Sequence, residues 1–357
     1  MQLENKQAFL ALVRLGIGHS AKLCKGIIEW DSIEALAEQH SLSAIIVDGI
    51  EKLPEEERPP KMLLLRWIGG TLQNYEYRYK QYRRTIAEMA GFYNSHDFKM
   101  MVLKGYACSL DWPKPEHRPC GDIDIWQFGK QKEADELIKN EKGIDIDTSE
   151  HHHTVFCWGI YTVENHYDFV NIHHSKSNAT IEKEFKRLGN DDSYHVDIDG
   201  NTVYLPSPNL HGLFLLRHAM IEFVAGGINI RQILDWAFFV EKHGKDVDWP
   251  WLLGLLDEFH MREFFNCINA ICVEELGFNS AIFPYVQFNP ILKDRVLKDI
   301  LEPEIPNEKP KNLLVRVIWK YRRWKANQWK HELCYEESMW SAFWNGVWGH
   351  LLKPASI

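Results

Sequence analysis

Residues 118–126 read Arg-Pro-Cys-Gly-Asp-Ile-Asp-Ile-Trp, and this stretch decides the fold. Carboxylates alternate with β-branched residues, which is typical of a strand with one buried face. Because strand side chains alternate between faces, Asp122 and Asp124 should share one face while Ile123 and Ile125 enter the core. Two acids on one face are costly without a cation between them, and hard carboxylate oxygens suit Mg²⁺ or Mn²⁺. The alternative is an edge strand with a solvated acidic face.

A second strand signal lies just upstream, where residues 99–103 read Lys-Met-Met-Val-Leu and lead into a Lys-Gly turn. A strand, a glycine turn and a following helix present free backbone N–H groups to a phosphate. Lys104 and Arg118 are candidate phosphate contacts, because lysine offers a point charge and arginine a planar fork. With Gly105 and Gly121 they form the predicted nucleotide-binding set, and the alternative for each cation is a surface charge.

The order of these motifs resembles the DNA polymerase β-like nucleotidyltransferase superfamily, and more closely a bacterial family of uncharacterised nucleotidyltransferases. The resemblance covers most of the chain. It rests on a Leu-Lys-Gly turn, an arginine before an Asp-x-Asp strand, a later acidic-x-His strand, and a helix with the pattern Arg-x-x-x-Asp, here Arg231 and Asp235. It implies an α+β fold in which a small mixed-sheet core lies between N- and C-terminal helical regions.

The same resemblance implies an activity and its cofactor. Two divalent ions, Mg²⁺ or Mn²⁺, would be held by Asp122 and Asp124 and would stabilise both oxygens of an in-line displacement. The reaction would move a nucleoside monophosphate from an NTP to an acceptor and release pyrophosphate. The sequence does not choose among acceptors or NTPs.

The third acidic position departs from the family pattern. Residues 167–174 read Tyr-Asp-Phe-Val-Asn-Ile-His-His and resemble the acidic-x-His strand, with Asn171 in the acidic slot and His173 in the histidine slot. Asp168 is the nearest acid, but it falls on the opposite face of a regular strand, and a bulge would be needed to bring it round. Three alternatives stay open: Asp168 is the third catalytic acid, Asn171 ligates weakly, or activity is reduced. His173 has either a substrate-side or a structural role.

Arg231 and Asp235 lie four residues apart and therefore share a helix face. Their apolar neighbours in residues 230–236 favour partial burial over a surface ion pair. His218, on the preceding predicted helix, belongs to the same block of the resemblance. We interpret the three residues as either a wall of the acceptor site or a structural clamp.

Histidine is dense between residues 151 and 174. A zinc site is an obvious hypothesis, but no Cys-x-x-Cys or His-x-x-x-His frame accompanies the histidines, and Cys157 stands alone. The spacing therefore does not favour zinc. A hairpin from about 153 to 174 is expected to turn some of the histidines toward the cleft. The six residues are His151, His152, His153, His166, His173 and His174.

Composition excludes several classes of protein. With 45% apolar and 25% charged residues, the 357-residue chain is typical of a soluble globular protein. A net charge of −9 makes a nucleic-acid partner unlikely. Because the sequence has no apolar run of roughly 18 residues and no secretory pattern at its start, no transmembrane segment or secretion signal is expected. Seven cysteines without paired spacing favour reduced thiols and a cytoplasmic location.

Three regions are predicted: a helical region 1–96 that ends in a long helix from about Met62, a nucleotidyltransferase core 97–205, and a helical region 206–357. In the core we expect strands near 99–103, 122–128 and 202–204, and a helix over 131–139. Later helices are predicted near 207–224, 228–242, 250–275, 290–301 and 311–332.

The C-terminal segment from 312 to 352 is rich in tryptophan, with basic residues between the first three. A basic aromatic helix suits a membrane surface or a nucleic acid. The five-residue spacing of Trp319, Trp324 and Trp329 instead spreads them around a helix, which favours a helix packed on the protein. The preferred function is a metal-dependent nucleotidyltransferase. The alternatives are a catalytically weakened nucleotide-binding or regulatory protein that keeps the fold, and a membrane-surface factor.

Overall fold

A computed structural model describes residues 3–23, 28–173, 175–284, 288–305 and 310–336. Helices come first, then a sheet with interspersed helices, then helices again, which confirms the predicted α+β class. The helices are α1 (Leu3–Gly16), α2 (Trp30–Gln39), α3 (Ser43–Glu51), α4 (Lys61–Thr71), α5 (Arg78–Asn94), α6 (Tyr106–Ser109), α7 (Gln131–Lys142), α8 (Lys176–Leu188), α9 (Pro208–Ala225), α10 (Ile230–His243), α11 (Trp249–Glu258), α12 (Arg262–Ala270), α13 (Pro290–Leu301), α14 (Leu313–Ala326) and α15 (Gln328–Cys334).

Two helix predictions have different outcomes. The long helix from about Met62 is confirmed, because a π-helical segment, Leu72–Tyr77, joins α4 to α5 without a break. The single helix over 250–275 is wrong. The chain turns between α11 and α12 at His260, whose φ of +60° is incompatible with a continuing right-handed helix.

Within the described residues, six strands form one mixed sheet in the order β3-β4-β2-β1-β6-β5. Neighbours β2 and β4, and β1 and β6, run parallel, and the other pairs are antiparallel. The acidic strand β2 therefore lies inside the sheet rather than at its edge. The strands are β1 (Met101–Val102), β2 (Ile123–Trp126), β3 (His153–Trp158), β4 (Tyr161–His166), β5 (His195–Ile198) and β6 (Asn201–Tyr204).

The register of β2, β3 and β4 fixes which polar side chains meet. Asp124 is the partner of Glu164 across the parallel β2–β4 pair. Across the antiparallel β3–β4 pair, His153 is the partner of His166. Because partners in register point to the same face, all four side chains lie on one side of the sheet.

The two faces of β2 pack against different parts of the protein. Ile123 and Ile125 are fully buried in a cluster with apolar residues of α5 and α7, as the alternation predicted. Burial of each such side chain contributes about 1.5–3 kcal/mol. Trp126, on the other face, joins a larger cluster that includes residues of α1, α3, α9 and α10. The face of β2 that carries Asp124 and Trp126 therefore faces helices from both the N-terminal and the C-terminal helical regions. The boundaries at residues 96 and 205 stay predictions.

The strand predicted to continue through residues 167–174 is wrong, because β4 ends at His166. The backbone N–H groups of Phe169 and Val170 donate to the Glu182 carboxylate, at 3.0 and 3.1 Å, instead of to a neighbouring strand. A side chain on α8 thus bends the chain away from the sheet. Residue 174 lies outside the described residues.

The tryptophan-rich segment is described only in part. The prediction that its helices pack on the protein is confirmed for α15, where the buried Lys330 pairs with Asp299 at 2.6 Å and Trp329 contacts Phe223. The residues Trp340, Trp344 and Trp348 lie outside the described part of the chain. None of the helices over the described ranges is both long enough and apolar enough to span a bilayer.

Candidate active site

The site forms where β2 and β4 run side by side. Asp124 is 3% exposed, and its Oδ1 lies 3.2 Å from Nε2 of His166. Glu164, its partner on β4, has Oε2 at 3.7 Å from the same nitrogen. The candidate ligand atoms of these three residues all lie within 4.8 Å of one another. Asp122, one residue before β2, is exposed and lines the same cavity as Asp124.

The two buried carboxyl groups have opposite pKa shifts. Burial alone would raise the pKa of Asp124, but Lys104 and His166 outweigh burial and hold that pKa well below its ordinary value. Burial, reinforced by the Asp124 carboxylate, raises the pKa of Glu164 to about 7. One carboxyl is therefore held ionised while its neighbour resists ionisation. A divalent cation would relieve this crowding, so the donor set fits such an ion.

Lys104 is held by both the sheet and α9. Its Nζ lies 3.1 Å from Asp124 Oδ1 and donates to Nε2 of His218 at 2.9 Å. Burial, followed by the charge of Lys104, lowers the pKa of His218 to about 4, so the neutral ring accepts this hydrogen bond. The other ring nitrogen, Nδ1, lies 3.4 Å from Glu222 Oε1. His218 therefore positions the Lys104 ammonium beside the carboxylates.

Arg118 and Asp235 form a buried bidentate ion pair, and each is 4% exposed. Arg118 donates from Nε and one terminal nitrogen to the two carboxylate oxygens at 2.8 and 3.0 Å, and from its third nitrogen to the Pro119 carbonyl at 3.2 Å. Trp112 Nε1 donates to the same carboxylate at 2.9 Å. All three guanidinium nitrogens are thus engaged, and Asp235 serves as a structural clamp between α10 and the residue 118 loop.

A cavity of about 330 Å³ collects most of the predicted residues, and its size is within the usual range for ligand pockets. It draws on residues far apart in sequence, since β2, the residue 104 turn, α9 and α10 all contribute to its wall. Asp168, Asn171 and His173 are not among the described lining residues. The predicted residues that line it are Lys104, Gly105, Arg118, Gly121, Asp122, Asp124, His218, Arg231 and Asp235.

Gly105 allows the side chain of Tyr82 to approach the backbone closely beside this cavity. Its φ of +59° and ψ of −100° lie outside the regions open to other residues. A Cβ there would lie 2.5 Å from the hydroxyl oxygen of Tyr82, and that hydroxyl donates to the Asp122 carbonyl at 2.9 Å. The glycine therefore allows Tyr82 to hold the backbone that carries the acids. The following helix, α6, has four residues, which agrees with the short helix expected after the glycine turn.

Replacing Gly105 with alanine is expected to lower the free energy of unfolding by more than the same change at Gly143. Both glycines have positive φ, but a Cβ at Gly143, which follows α7, would meet no atom within 4 Å. Gly143→Ala should cost about 1–2 kcal/mol from backbone strain alone. Gly105→Ala adds the collision with Tyr82 and the strain of a ψ of −100°, which lies outside the left-handed region that Gly143 occupies. Urea denaturation of both variants measures the difference, and equal losses would mean that the contact with Tyr82 is unimportant.

A comparison with models of known protein families identifies the family of this chain. The model of a family described as uncharacterised nucleotidyltransferase matches residues 27–277. The chain belongs to this family. Neither the curated proteins nor the solved structures gave a match. The predicted resemblance is therefore confirmed, and membership supports a nucleotidyltransferase activity in general terms.

The three residues predicted from 167–174 lie apart from the carboxylate pair. Asp168 Oδ1 pairs with Lys186 at 2.5 Å. The Asn171 side chain accepts from the His173 backbone N–H at 3.0 Å, which closes a local turn. His173 is exposed, and its ring packs against His151 with centroids 5.6 Å apart. Asn171 does not lie on the strand beside Asp124, because residues 167–174 do not continue β4.

Sequence reasoning missed Glu164 and His166, although a signal for them was present. Glu164-Asn165-His166 is itself an acidic-x-His triplet, and it ends a strand with apolar residues at Tyr161 and Val163. The motif was predicted seven residues further along the chain, because another pair of histidines, His173 and His174, follows there. An acid, not an amide, is therefore the partner of Asp124 in the β2–β4 register.

Proposed function

We propose that this protein is a metal-dependent nucleotidyltransferase that transfers a nucleoside monophosphate from an NTP to an acceptor and releases pyrophosphate. The observation that carries the proposal is the pairing of Asp124 with Glu164 on neighbouring parallel strands, and Asp122 and Asp124 both line the cavity. Together the three carboxylates supply the oxygen donors that such chemistry needs. Glu164 also weakens the main argument for a catalytically incomplete protein, which was the missing third acid.

Asp122, Asp124 and Glu164 would hold Mg²⁺ or Mn²⁺, since hard oxygen donors suit these ions. Ions bound there would supply charge stabilisation for the attacking and leaving oxygens of an in-line displacement at the α-phosphate. The protein's contribution is to hold the three carboxylates in place through the β2–β4 register and the hydrogen bond from Tyr82 to the Asp122 carbonyl.

The cations around the cavity divide into two roles. Arg118 is fully engaged by Asp235 and Pro119, so we infer that it shapes the residue 118 loop rather than binding phosphate directly. Arg231 lines the cavity, and among the described residues its guanidinium makes one long hydrogen bond, 3.5 Å to Asp235. Its remaining donors make Arg231, together with Lys104, the better contact for a triphosphate.

Binding of NTPs in the presence of Mg²⁺ or Mn²⁺ is expected to raise the melting temperature of the protein. A ligand at 100 times its dissociation constant stabilises the folded state by about 2.7 kcal/mol. Removing the divalent ion should abolish the shift, and pyrophosphate release should report turnover once an acceptor is present. Metal-dependent binding without turnover across a broad acceptor panel would favour the regulatory alternative, and no metal-dependent binding would contradict both.

The same assay tests the role of Arg231. Loss of a charge-assisted hydrogen bond costs about 1.5–3 kcal/mol, so Arg231→Ala should weaken ATP binding about 10- to 150-fold and adenosine binding much less. Arg84→Ala is the matched control, because Arg84 is a largely exposed arginine on α5 paired with Glu88. Equal weakening for ATP and adenosine would contradict a phosphate contact.

A further inference from the structure

Three histidines converge on the polar face of the sheet, next to the carboxylates. His153 begins β3 and is the register partner of His166 at the end of β4, and His152 precedes β3. One nitrogen from each ring lies within 4.8 Å of the other two. The ring centroids are 4.3 Å apart for His152–His153, 5.1 Å for His153–His166 and 5.6 Å for His152–His166. The antiparallel pairing of β3 and β4 creates this cluster.

The ring of His166 is oriented as metal-bound histidines are. Its Nδ1 lies 3.2 Å from the Asp168 carbonyl, an oxygen that only accepts, so Nδ1 carries a proton and donates. Its Nε2 lies 3.2 Å from Asp124 Oδ1 and 3.7 Å from Glu164 Oε2, so this ring stands between the histidine cluster and the carboxylates. A backbone carbonyl that fixes the distal nitrogen is a common partner of a histidine ligand.

His152 adds an independent observation. Its Nδ1 is buried and finds no hydrogen-bond partner among the described residues, which is costly for a polar atom removed from water. The residue as a whole is only partly buried, so an ion has a path from solvent. Glu164 lies next to the histidine cluster, with its Oε2 3.9 Å from Nδ1 of His153.

We propose that His152, His153 and His166 form a second metal site, for a borderline divalent transition ion of the Zn²⁺ type, with solvent as the fourth ligand. Three imidazoles and one solvent ligand suit such ions in a tetrahedral arrangement, whereas Mg²⁺ prefers oxygen ligands. The sequence spacing did not favour zinc because the ligands meet across a hairpin and not along a helix or a Cys-x-x-Cys turn. The histidine site would bind its ion whether or not the protein catalyses nucleotidyl transfer. Glu164 lies near both His153 and Asp124.

Cobalt is the probe, because four-coordinate Co²⁺ absorbs visibly and occupies zinc sites. The full chain is stripped with chelator and titrated with Co²⁺ while excess Mg²⁺ saturates the carboxylates. We expect one equivalent of Co²⁺ to bind with the intense bands of a tetrahedral centre. His152→Ala should weaken that binding by at least about 100-fold, since loss even of an outer partner costs 10- to 100-fold. His195→Ala, on the opposite edge strand β5, should bind as wild type.

The contrary outcomes are equally clear. If Mg²⁺ prevents Co²⁺ binding, or if His152→Ala and His153→Ala both bind Co²⁺ as wild type does, the ion occupies the carboxylates and the proposal is wrong. Absence of Co²⁺ binding by the wild type also overturns it. Circular dichroism of each variant confirms folding. If His153→Ala is unstable, the test relies on His152→Ala, because His152 is partly exposed and its loss should not disturb the fold. Mg²⁺-dependent NTP binding by the stripped protein tests the proposed function separately.

Discussion

Glu164→Gln is expected to abolish Mg²⁺-dependent turnover, whereas Asp168→Asn leaves it close to the wild-type rate. Glu164 lies opposite Asp124 in the β2–β4 register, and Asp168 pairs with Lys186 outside the cavity. Charge stabilisation by a bound metal is worth several kcal/mol, and 1.36 kcal/mol corresponds to a factor of ten in rate, so the loss should be at least about 100-fold. Pyrophosphate release measures the rates, and calorimetric titration measures Mg²⁺ binding, which Glu164→Gln should also weaken.

The paired variants control for folding as well as for chemistry. Glu164→Gln replaces a crowded carboxyl with a neutral amide, so it should not destabilise the protein. The Lys186 partner of Asp168 is half-exposed, and such ion pairs contribute at most about 1 kcal/mol. If Asp168→Asn is the more damaging change, the third acid comes from the 167–174 segment after all, and the site built on the strand register is wrong. Asp124→Asn should abolish turnover in either case.

Local patterns were sufficient for the strand that carries the acids. The alternation of Asp122 and Asp124 with Ile123 and Ile125 requires only a two-residue period and a buried face, and the structure has both. The residue at which β4 ends could not be predicted from the local sequence. A carboxylate on α8, thirteen residues beyond Phe169, takes the backbone N–H groups that would have continued the strand. Our proposal therefore takes the third acid from β4 and not from residues 167–174.

Contacts between distant segments account for the other differences. Arg118 and Asp235 are separated by 117 residues, and no pattern in either segment shows that they pair. An unpaired Arg118 would be a reasonable phosphate contact, and only the pairing transfers that role to Arg231 in our proposal. The histidine cluster likewise arises from the register of a hairpin, which spacing rules for zinc motifs do not describe.

Breaking the Arg118–Asp235 pair is expected to cause the largest loss of stability in the site. Removing one partner of a buried ion pair leaves an uncompensated charge, so Arg118→Ala should lower the free energy of unfolding by about 3–5 kcal/mol. Arg118→Lys should also be destabilising, because an ammonium cannot make the two parallel hydrogen bonds. The double variant Arg118→Met/Asp235→Leu removes both charges of the bidentate pair, although Arg231 and Trp112 lose their hydrogen bonds to Asp235, so part of the stability should return. Urea denaturation measures all three.

Arg83 and Asp199 provide a control that is also bidentate, although here both terminal guanidinium nitrogens donate. Their two hydrogen bonds are 3.1 and 3.2 Å long, but both side chains are exposed to solvent. Solvent screens the exposed pair, so Arg83→Ala should cost at most about 1 kcal/mol. The difference between the two alanine variants isolates the effect of burial. If Arg118→Ala costs no more than Arg83→Ala, the clamp is not structural. Arg118 would then be free to contact phosphate, and the division of roles between Arg118 and Arg231 would have to be reversed.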